Sequence, residues 1–244
     1  MTYSRDHHQV IAVALGCLDP VRLAEFGCFF AGGTALAMRF GEYRESVDVD
    51  FVICGADGYQ RLRSACRRQG LEALTISGQR AVTASPMTID HYGIRTRLDV
   101  SGTPVKFEII REARIALELP TPSDEVRGVK TATVTDLVAM KLLANSDRWG
   151  DPAVFSRDIL DLAMIPARRP ILRQGLAKAQ AAYGSDVVRD ARRAIEALLD
   201  DQGRLQRCQE ALSMSQPRAV VADRLRRLRV SIDACVLAAG ATGS

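Results

Sequence analysis

The first half of the chain mixes two hydrophobic patterns, apolar runs typical of strands and the three-four spacing typical of helices. Apolar runs over 26–33 and 47–53 predict two buried strands. Two further extended runs, 88–100 and 103–111, flank Ser101-Gly102, which favours a tight hairpin turn. Helices are predicted around these strands, at 6–18, 21–25, 35–40 and 57–69. This half is therefore predicted to be an α/β domain with a mixed sheet.

After Pro120 and Pro122 the pattern becomes almost wholly helical, with leucine, alanine, isoleucine and valine recurring at spacings of three and four. Helices are predicted at 135–148, 157–164, 169–182, 186–200, 203–213 and 217–239. Residues 240–244 predict a frayed tail. The predicted fold class is α+β, with an N-terminal mixed-sheet domain over 1–120 followed by an all-helical domain over 121–244.

Composition is that of an ordinary globular protein, with 47% hydrophobic and 25% charged residues and a net charge of +4. Arginines cluster at two places, for which a solvated helix face is the simpler interpretation and a nucleic-acid contact the sharper one. These clusters are Arg61, Arg63, Arg67 and Arg68, and Arg224, Arg226, Arg227 and Arg229.

The six cysteines are scattered, and no two have the Cys-x-x-Cys spacing of a zinc site. Their apolar neighbours favour reduced, buried thiols. The N-terminal residues lack the pattern of a signal peptide, and no apolar run is long enough to cross a bilayer. We therefore expect a cytoplasmic protein that does not enter the membrane.

The most informative stretch lies between residues 32 and 50. A Gly32-Gly33-Thr34 turn is followed, after thirteen residues, by Asp48 and Asp50 on a predicted strand. Alternate residues of a strand share a face, so the two carboxylates would lie roughly 6–7 Å apart and offer the hard oxygen ligands that Mg²⁺ prefers. The glycine turn lets phosphates approach the backbone, and Thr34 is expected to cap the next helix, with its amides beside the turn. Metal-assisted chemistry on a nucleoside triphosphate is indicated; the simpler alternative is an aspartate pair that caps turns or binds arginines.

Glu108 is the first candidate for a third carboxylate. It alternates with Val105, Phe107 and Ile109 on a predicted central strand, where an unpartnered charge is costly. With Asp48 and Asp50 it would complete a site for two metal ions. The alternative is a rim charge paired with Lys106 or Arg111 on an edge strand. Asp99, near the hairpin turn, is a weaker candidate.

Two helical segments of the second half carry further polar patterns. In 141–148, Lys141, Asn145 and Arg148 share one helix face that would suit triphosphate oxygens; the alternative is an amphipathic helix with a wet polar side. In 157–162, Asp158 and Asp161 share a face. They either complement the helix dipole and one surface ion pair, or orient Lys141 and contact the substrates.

In order along the chain, these motifs resemble those of the AbiEii/AbiGii-type nucleotidyltransferase toxins, a branch of the polymerase-beta-like nucleotidyltransferase superfamily. The resemblance covers roughly residues 25–165. It rests on a glycine turn with Asp-x-Asp, on Lys-x4-Ser-x-Arg, on Arg-Asp-x-x-Asp and on an Arg-x-Ser lead-in to the aspartates. These are Gly32, Gly33 and Thr34 with Asp48 and Asp50; Lys141, Ser146 and Arg148; Arg157, Asp158 and Asp161; and Arg44 and Ser46.

The resemblance implies an enzyme that moves a nucleotide from an NTP to an acceptor with Mg²⁺ as cofactor. In the toxin family the acceptor can be RNA, notably the 3′ end of tRNA, and many members pair with a separately encoded antitoxin. We expect the catalytic residues to be Asp48, Asp50, Glu108, Lys141, Asp158 and Asp161, the metal ligands to be Asp48, Asp50 and Glu108, and the nucleotide-binding residues to be Gly32, Gly33, Thr34, Arg44, Ser46, Lys141, Ser146 and Arg148. The helical domain is expected to complete the nucleotide cleft between the halves.

Two alternatives stay open at this point. A small-molecule nucleotidyltransferase, such as one that modifies an antibiotic, would carry the same first motif. A binding module that recognises NTP or RNA without turnover would retain the fold and lose the chemistry.

Overall fold

The computed structural model describes residues 2–77, 82–83 and 85–240 and divides the chain into two compact units, Met1–Thr133 and Val134–Ser244. Within these described ranges the first unit contains a mixed sheet with helices, and the second contains helices only. The predicted α+β fold class is confirmed. The tail predicted at 240–244 falls largely outside the described residues, since only Gly240 is included, as the last residue of a helix.

The first unit follows the predicted order of elements and adds short strands that the hydrophobic pattern did not indicate. A short 3-10 helix also lies at Gly70–Ala73. The helices and strands are α1 (Asp6–Cys17), α2 (Pro20–Phe26), β1 (Cys28–Ala31), α3 (Gly32–Arg39), β2 (Val49–Ile53), α4 (Ala56–Gln69), β3 (Val82–Thr83), β4 (Thr88–Ile89), β5 (Gly93–Val100), β6 (Thr103–Arg111), β7 (Glu125–Val126) and β8 (Val129–Lys130).

The main sheet has the strand order β1-β2-β6-β5-β3, with β4 also paired to β5. Strands β2 and β6 run parallel, and the other pairs are antiparallel. One face of the sheet is apolar because every second residue of the central strands is hydrophobic. This face joins helices α1 and α4 in one core, whose members include Leu15, Leu62, Phe51, Phe107, Ile109, Ile94 and Leu98.

The opposite face of the same strands carries the polar residues. Cross-strand pairing places Asp50 of β2 beside Glu108 of β6, and Glu108 beside Arg95 of β5. The predicted turn at Ser101-Gly102 fixes this register. Both turn residues have positive φ, 54° and 86°, as a tight hairpin connection requires. The sheet thus separates an apolar core from a row of charged side chains.

Two local predictions need correction. Helix α3 begins at Gly32 with Ala31 as its N-cap, so Thr34 lies inside the helix and does not cap it. The reason is Gly32 itself, whose φ of +74° turns the chain from β1 directly into α3. Strand β2 begins at Val49, so Asp48 lies one residue before the strand and only Asp50 lies within it.

Residues 121–133 belong to the first unit. The antiparallel pair β7–β8 lies in this segment, and Thr131 bridges to Phe30 of β1 in parallel fashion. An ion pair between Arg39 of α3 and Asp124, at 3.0 Å, adds to this attachment. The change in hydrophobic pattern after Pro120 therefore comes before the boundary between the two units, and the β7–β8 hairpin lies between them.

The second unit consists of the six predicted helices, each within two residues of its predicted ends. They are α5 (Val134–Arg148), α6 (Arg157–Met164), α7 (Arg169–Tyr183), α8 (Asp186–Asp200), α9 (Gln202–Ala211) and α10 (Arg218–Gly240). Helix α5 packs against α6, α7 and α8. Gly175 makes the approach of α7 to α5 possible, since a Cβ there would lie 2.6 Å from Val138 Cγ1.

In the described part of the chain, no helix combines the length and the apolarity needed to cross a bilayer.

Candidate active site

The glycine turn lies directly against one of the predicted metal ligands. Ala31 at the end of β1 pairs with Asp50 of β2, and Gly32 follows at once. A Cβ on Gly32 would lie 2.6 Å from Asp50 Oδ2, closer than side-chain atoms approach one another. Two constraints therefore require glycine at position 32. The backbone has a positive φ, and the Asp50 carboxylate occupies the space where a Cβ would lie.

The second glycine lies against a polar cluster from the loop before β2. A Cβ on Gly33 would overlap Arg44 Nη2 and lie 3.3 Å from Ser46 Oγ. The Thr34 hydroxyl donates to Ser46 Oγ at 2.8 Å, and Arg44 Nη1 donates to the Glu45 carbonyl at 2.7 Å. The structure thus brings together Gly33, Thr34, Arg44 and Ser46, as their predicted common role requires.

Helix α3 presents its first amides at this cluster. Its N-cap residue, Ala31, makes no side-chain cap hydrogen bond. The amides of a helix N-terminus and the helix dipole favour an anion at such a position.

Glu108 lies on the same sheet face as Asp50 and is held by two cations. Its Oε2 binds Lys106 Nζ at 2.7 Å, and its Oε1 binds Arg95 Nε at 3.3 Å. Strand β6 is central, between β2 and β5, so Glu108 is not on an edge strand. Asp99 accepts the Gly102 amide at 2.7 Å and so stabilises the hairpin turn.

Lys106 is the cation that faces all three candidate metal ligands. Burial lowers the pKa of Lys106, but the hydrogen bond and charge of Glu108, together with the charges of Asp48 and Asp50, outweigh it and raise the pKa overall. A side-chain ammonium is thus attracted to the place where a metal ion is expected. In charge and donor type the carboxylates fit a divalent cation.

The carboxylates are not gathered into a finished metal site. Among the described residues, no group of three or more His, Cys, Asp or Glu side chains is placed to hold a metal ion. Lys106 and Arg95 accompany Glu108 instead. From the sequence, Lys106 is predicted only as a possible rim partner of Glu108, and no role is predicted for Arg95. A two-residue turn at Ser101-Gly102 fixes the hairpin register, so the sequence could have placed Arg95 opposite Glu108.

The second unit contains a separate buried network built from two of the predicted motifs. Lys141 Nζ binds Asp158 Oδ1 at 2.9 Å and Asp161 Oδ2 at 2.6 Å. Arg148 binds Asp158 with two nitrogens, Nε at 2.7 Å and Nη2 at 3.0 Å. Two cations and two carboxylates have cancelling formal charges, so Lys141 and Arg148 do not form a bare cationic patch.

The network keeps Asp158 ionised. Burial raises the pKa of the Asp158 carboxyl, but the charges and hydrogen bonds of Lys141 and Arg148 lower it far more. Lys141 is itself buried, with 9% of its side chain exposed, whereas Arg148 keeps 35%. Within this unit, the geometry is therefore that of the alternative in which an aspartate orients Lys141.

Two polar atoms near this network have no partner among the described residues. They are Asn145 Nδ2 and Ser146 Oγ, both on α5 and both buried. Ser146 is one of the predicted nucleotide-binding residues. An unsatisfied buried hydroxyl is costly, and the described residues leave the hydrogen-bonding capacity of Ser146 Oγ unused.

The mixed sheet, the glycine turn against Asp50 and the helical second unit together form the architecture of a nucleotidyltransferase. The sequence profile of one such family, the nucleotidyl transferase AbiEii toxins of type IV toxin–antitoxin systems, matches residues 23–231. The chain belongs to this family. Among curated proteins, none matches its sequence.

Two solved structures from Helicobacter pylori resemble this chain over nearly its whole length. One, a proposed nucleotidyltransferase, is 16% identical, with 94% of this chain and 93% of the other covered at a TM-score of 0.50. The other, JHP933, is 15% identical, with 98% and 97% covered at a TM-score of 0.48. The first likeness concerns the fold alone and agrees with the α+β architecture.

Proposed function

We propose that this nucleotidyltransferase toxin moves a nucleotide from an NTP to an RNA hydroxyl, such as that at the 3′ end of tRNA, in a Mg²⁺-dependent reaction. The observation that carries this proposal is the glycine turn, which brings the N-terminus of α3 against Asp50, Arg44 and Ser46. A phosphate site and a carboxylate that can bind metal thus share one turn of backbone.

The triphosphate is proposed to lie at the start of α3. The amides after Gly32 and Gly33 would donate to its oxygens, with the hydroxyls of Thr34 and Ser46 beside them. Arg44 supports this position, because its guanidinium lies against Gly33. The absence of side chains at the two glycines makes room for the Asp50 carboxylate and the Arg44 guanidinium beside the turn.

Asp48, Asp50 and Glu108 would hold the divalent cation. When bound there, Mg²⁺ would polarise the acceptor hydroxyl and stabilise charge on the phosphate oxygens. The hydroxyl oxygen attacks the α-phosphorus, and the bond from this phosphorus to the bridging oxygen breaks. The leaving group is pyrophosphate, and the hydroxyl proton passes to one of the carboxylates.

From the second unit, Lys141, Ser146 and Arg148 are proposed to assist in nucleotide binding, with Asp158 and Asp161 as positioning residues. The two aspartates fix the ammonium and the guanidinium in place, which limits the entropy lost on binding. Arg148, the more exposed cation, is the one proposed to contact phosphate.

The family assigns the chain an antitoxin partner in a type IV system. We further propose that it acts in the cytoplasm, where both NTPs and tRNA are found.

The direct test is transfer of label from each of the four NTPs to total tRNA. The wild-type chain should label tRNA and release pyrophosphate, whereas Asp48→Ala should lower transfer by at least about 10³-fold with an unchanged melting temperature. Asp57→Ala, an exposed aspartate on α4, serves as the control. Undiminished transfer by the Asp48 variant would sink the assignment.

The same assay separates the alternatives. Label on an aminoglycoside and none on tRNA would identify a small-molecule enzyme. Nucleotide binding without release of pyrophosphate would identify a binding module.

A further inference from the structure

A groove of about 370 Å³ opens in the first unit beside Asp48. The residues that line it are His7, Ile11, Val47, Asp48, Arg97, Pro104, Val105 and Lys106. It lies where β5 and β6 meet the residues before β2. The volume is at the lower end of the range of about 300–1,000 Å³ that is usual for ligand sites, so it suits a piece of a larger molecule.

The polar lining of this groove is mostly cationic. Arg97 and Lys106 face each other across the β5–β6 pair and lie on the charged face of the sheet. Lys106 keeps 51% of its side chain exposed, and Arg97 is exposed as well. Among the residues that the structure describes, Arg97 forms no ion pair, in contrast to Arg95, which binds both Asp90 and Glu108.

His7 adds a third polar group at the rim of the groove. Its Nδ1 is bonded to Glu45 Oε1 at 2.6 Å, and 53% of its side chain is exposed. The guanidinium of Arg97, which forms no ion pair with a described residue, is the strongest anion-binding group of the groove, because its planar fork can bind two oxygens of one phosphate.

The groove lies close to the candidate metal-binding carboxylates. This position indicates what kind of molecule would carry an anion bound in the groove. Lys106 is two residues from Glu108 on β6, about 7 Å along the strand at the usual rise. Asp48 lines the groove itself. An anion bound by Arg97 therefore lies within one nucleotide of the place where an acceptor hydroxyl would react.

We propose that this groove binds the acceptor strand, with Arg97 holding a backbone phosphate of a nucleic acid whose 3′-terminal hydroxyl lies at Asp48. The inference rests on the proposed function, which it deepens by separating an acceptor site from the triphosphate site at α3. An NTP would occupy the glycine turn, and the acceptor strand would enter along β5 and β6. Charge complementarity selects a polyanion, and the hydroxyl required at Asp48 selects a strand end.

The test measures RNA binding without turnover. A fluorescein-labelled single-stranded RNA of about ten nucleotides is titrated with the full chain, and anisotropy gives Kd as a function of KCl concentration. Arg97→Gln should weaken binding roughly tenfold and reduce the slope of log Kd against log salt by about 0.7, the effect of one lost phosphate contact. Because Arg97 is exposed and forms no ion pair with a described residue, the variant should keep the melting temperature of the wild-type chain.

Arg173→Gln is the matched control. Arg173 is exposed on α7, outside the groove and outside both arginine clusters, and its loss changes the net charge by the same amount. Equal weakening by both variants would mean that only overall charge matters, and would overturn the proposal. So would a wild-type chain that binds neither RNA nor single-stranded DNA.

A kinetic arm separates this inference from the proposed function. With labelled NTP and RNA as substrates, Arg97→Gln should raise KM for RNA about tenfold and leave KM for NTP unchanged. A raised KM for NTP would assign the groove to the nucleotide and overturn the acceptor assignment. If no NTP is turned over at all, the proposed function fails, but the anisotropy comparison of Arg97→Gln with Arg173→Gln still decides what the groove binds.

Discussion

The absence of a side chain at Gly32 has two separate consequences. The φ of +74° is open to glycine at little cost, and the space beside its Cα belongs to Asp50 Oδ2. Gly27 has nearly the same φ, +70°, but a Cβ there would meet nothing within 4 Å. A comparison of substitutions at Gly27 and Gly32 therefore separates the cost of backbone strain from the effect of a clash with the Asp50 carboxylate.

Gly32→Ala is expected to lose at least about tenfold in nucleotide transfer, because the new methyl group displaces the Asp50 carboxylate. Both Gly32→Ala and Gly27→Ala should lose about 1–2 kcal/mol of unfolding free energy from the left-handed backbone. Urea denaturation and the transfer assay measure the two effects. Equal activity of the two variants would show that the position of Asp50 does not depend on Gly32.

Lys106 offers a second prediction at this scale. Its ammonium faces Asp48, Asp50 and Glu108, so it should oppose a divalent cation at the same carboxylates. Lys106→Met is expected to strengthen Mn²⁺ binding by up to about fivefold, as befits a half-exposed ion pair. Calorimetric titration of the chain without nucleotide measures this. Lys130→Met, which removes a surface lysine paired with Glu125, should bind Mn²⁺ as the wild-type chain does.

At the scale of elements, the start of α1 is held by a residue from a distant loop. Glu42 accepts the backbone amides of Ser4 and Arg5, at 2.8 and 3.1 Å, and His8 Nδ1 lies 2.9 Å from it. A carboxylate thus binds amides at the N-terminus of α1, which carries no side-chain cap among the described residues. Burial raises the pKa of Glu42, but these hydrogen bonds outweigh it and lower the pKa to about 2.

A lowered carboxylate pKa gives a defined pH dependence. The stabilisation by Glu42 is fully present above the unfolded pKa of about 4.3 and is lost as the pH falls through about 2. We expect Glu42→Gln to be less stable than the wild-type chain at pH 7, with the difference shrinking between pH 5 and pH 2. Urea denaturation across this range measures it, with exposed Glu72→Gln as the control. A constant difference would contradict the assigned role.

Helices α5 and α6 are joined by ion pairs whose carboxylates are buried. Lys141→Met would leave the buried carboxylates of Asp158 and Asp161 without their shared cation, at a cost of about 3–5 kcal/mol. Arg227→Met breaks an exposed pair with Asp223 on α10 and should cost at most about 1 kcal/mol. Chemical denaturation of the full chain compares them. Similar losses would mean that the buried network contributes no more than a surface pair.

At the scale of the whole molecule, membership of a toxin family predicts an effect on cells. Induced expression of the wild-type chain should arrest growth of a bacterial host, and Asp48→Ala should restore growth at equal protein level, because the arrest requires nucleotide transfer. Asp57→Ala should remain toxic. Plating efficiency with an immunoblot for the chain measures both. Arrest by the Asp48 variant would separate toxicity from the proposed chemistry.

The sequence determined the elements of this protein and the family to which it belongs. The helices of the second unit follow from three-four spacing, and the hairpin follows from Ser101-Gly102, since both signals are local. The motifs around Asp48, Lys141 and Asp158 also lie within short stretches, and they identified the family before any packing was considered.

Only the tertiary structure decided which charges meet. Lys141 with Asp158 and Asp161, Glu42 with the start of α1, and Lys106 with the carboxylates are contacts set by packing and strand order. Hydrophobic periodicity says which face of an element is buried, but it does not say which element covers that face. For the same reason the sequence could name the residues of the nucleotide site, while the groove beside Arg97 became visible only once β5, β6 and α1 were placed together.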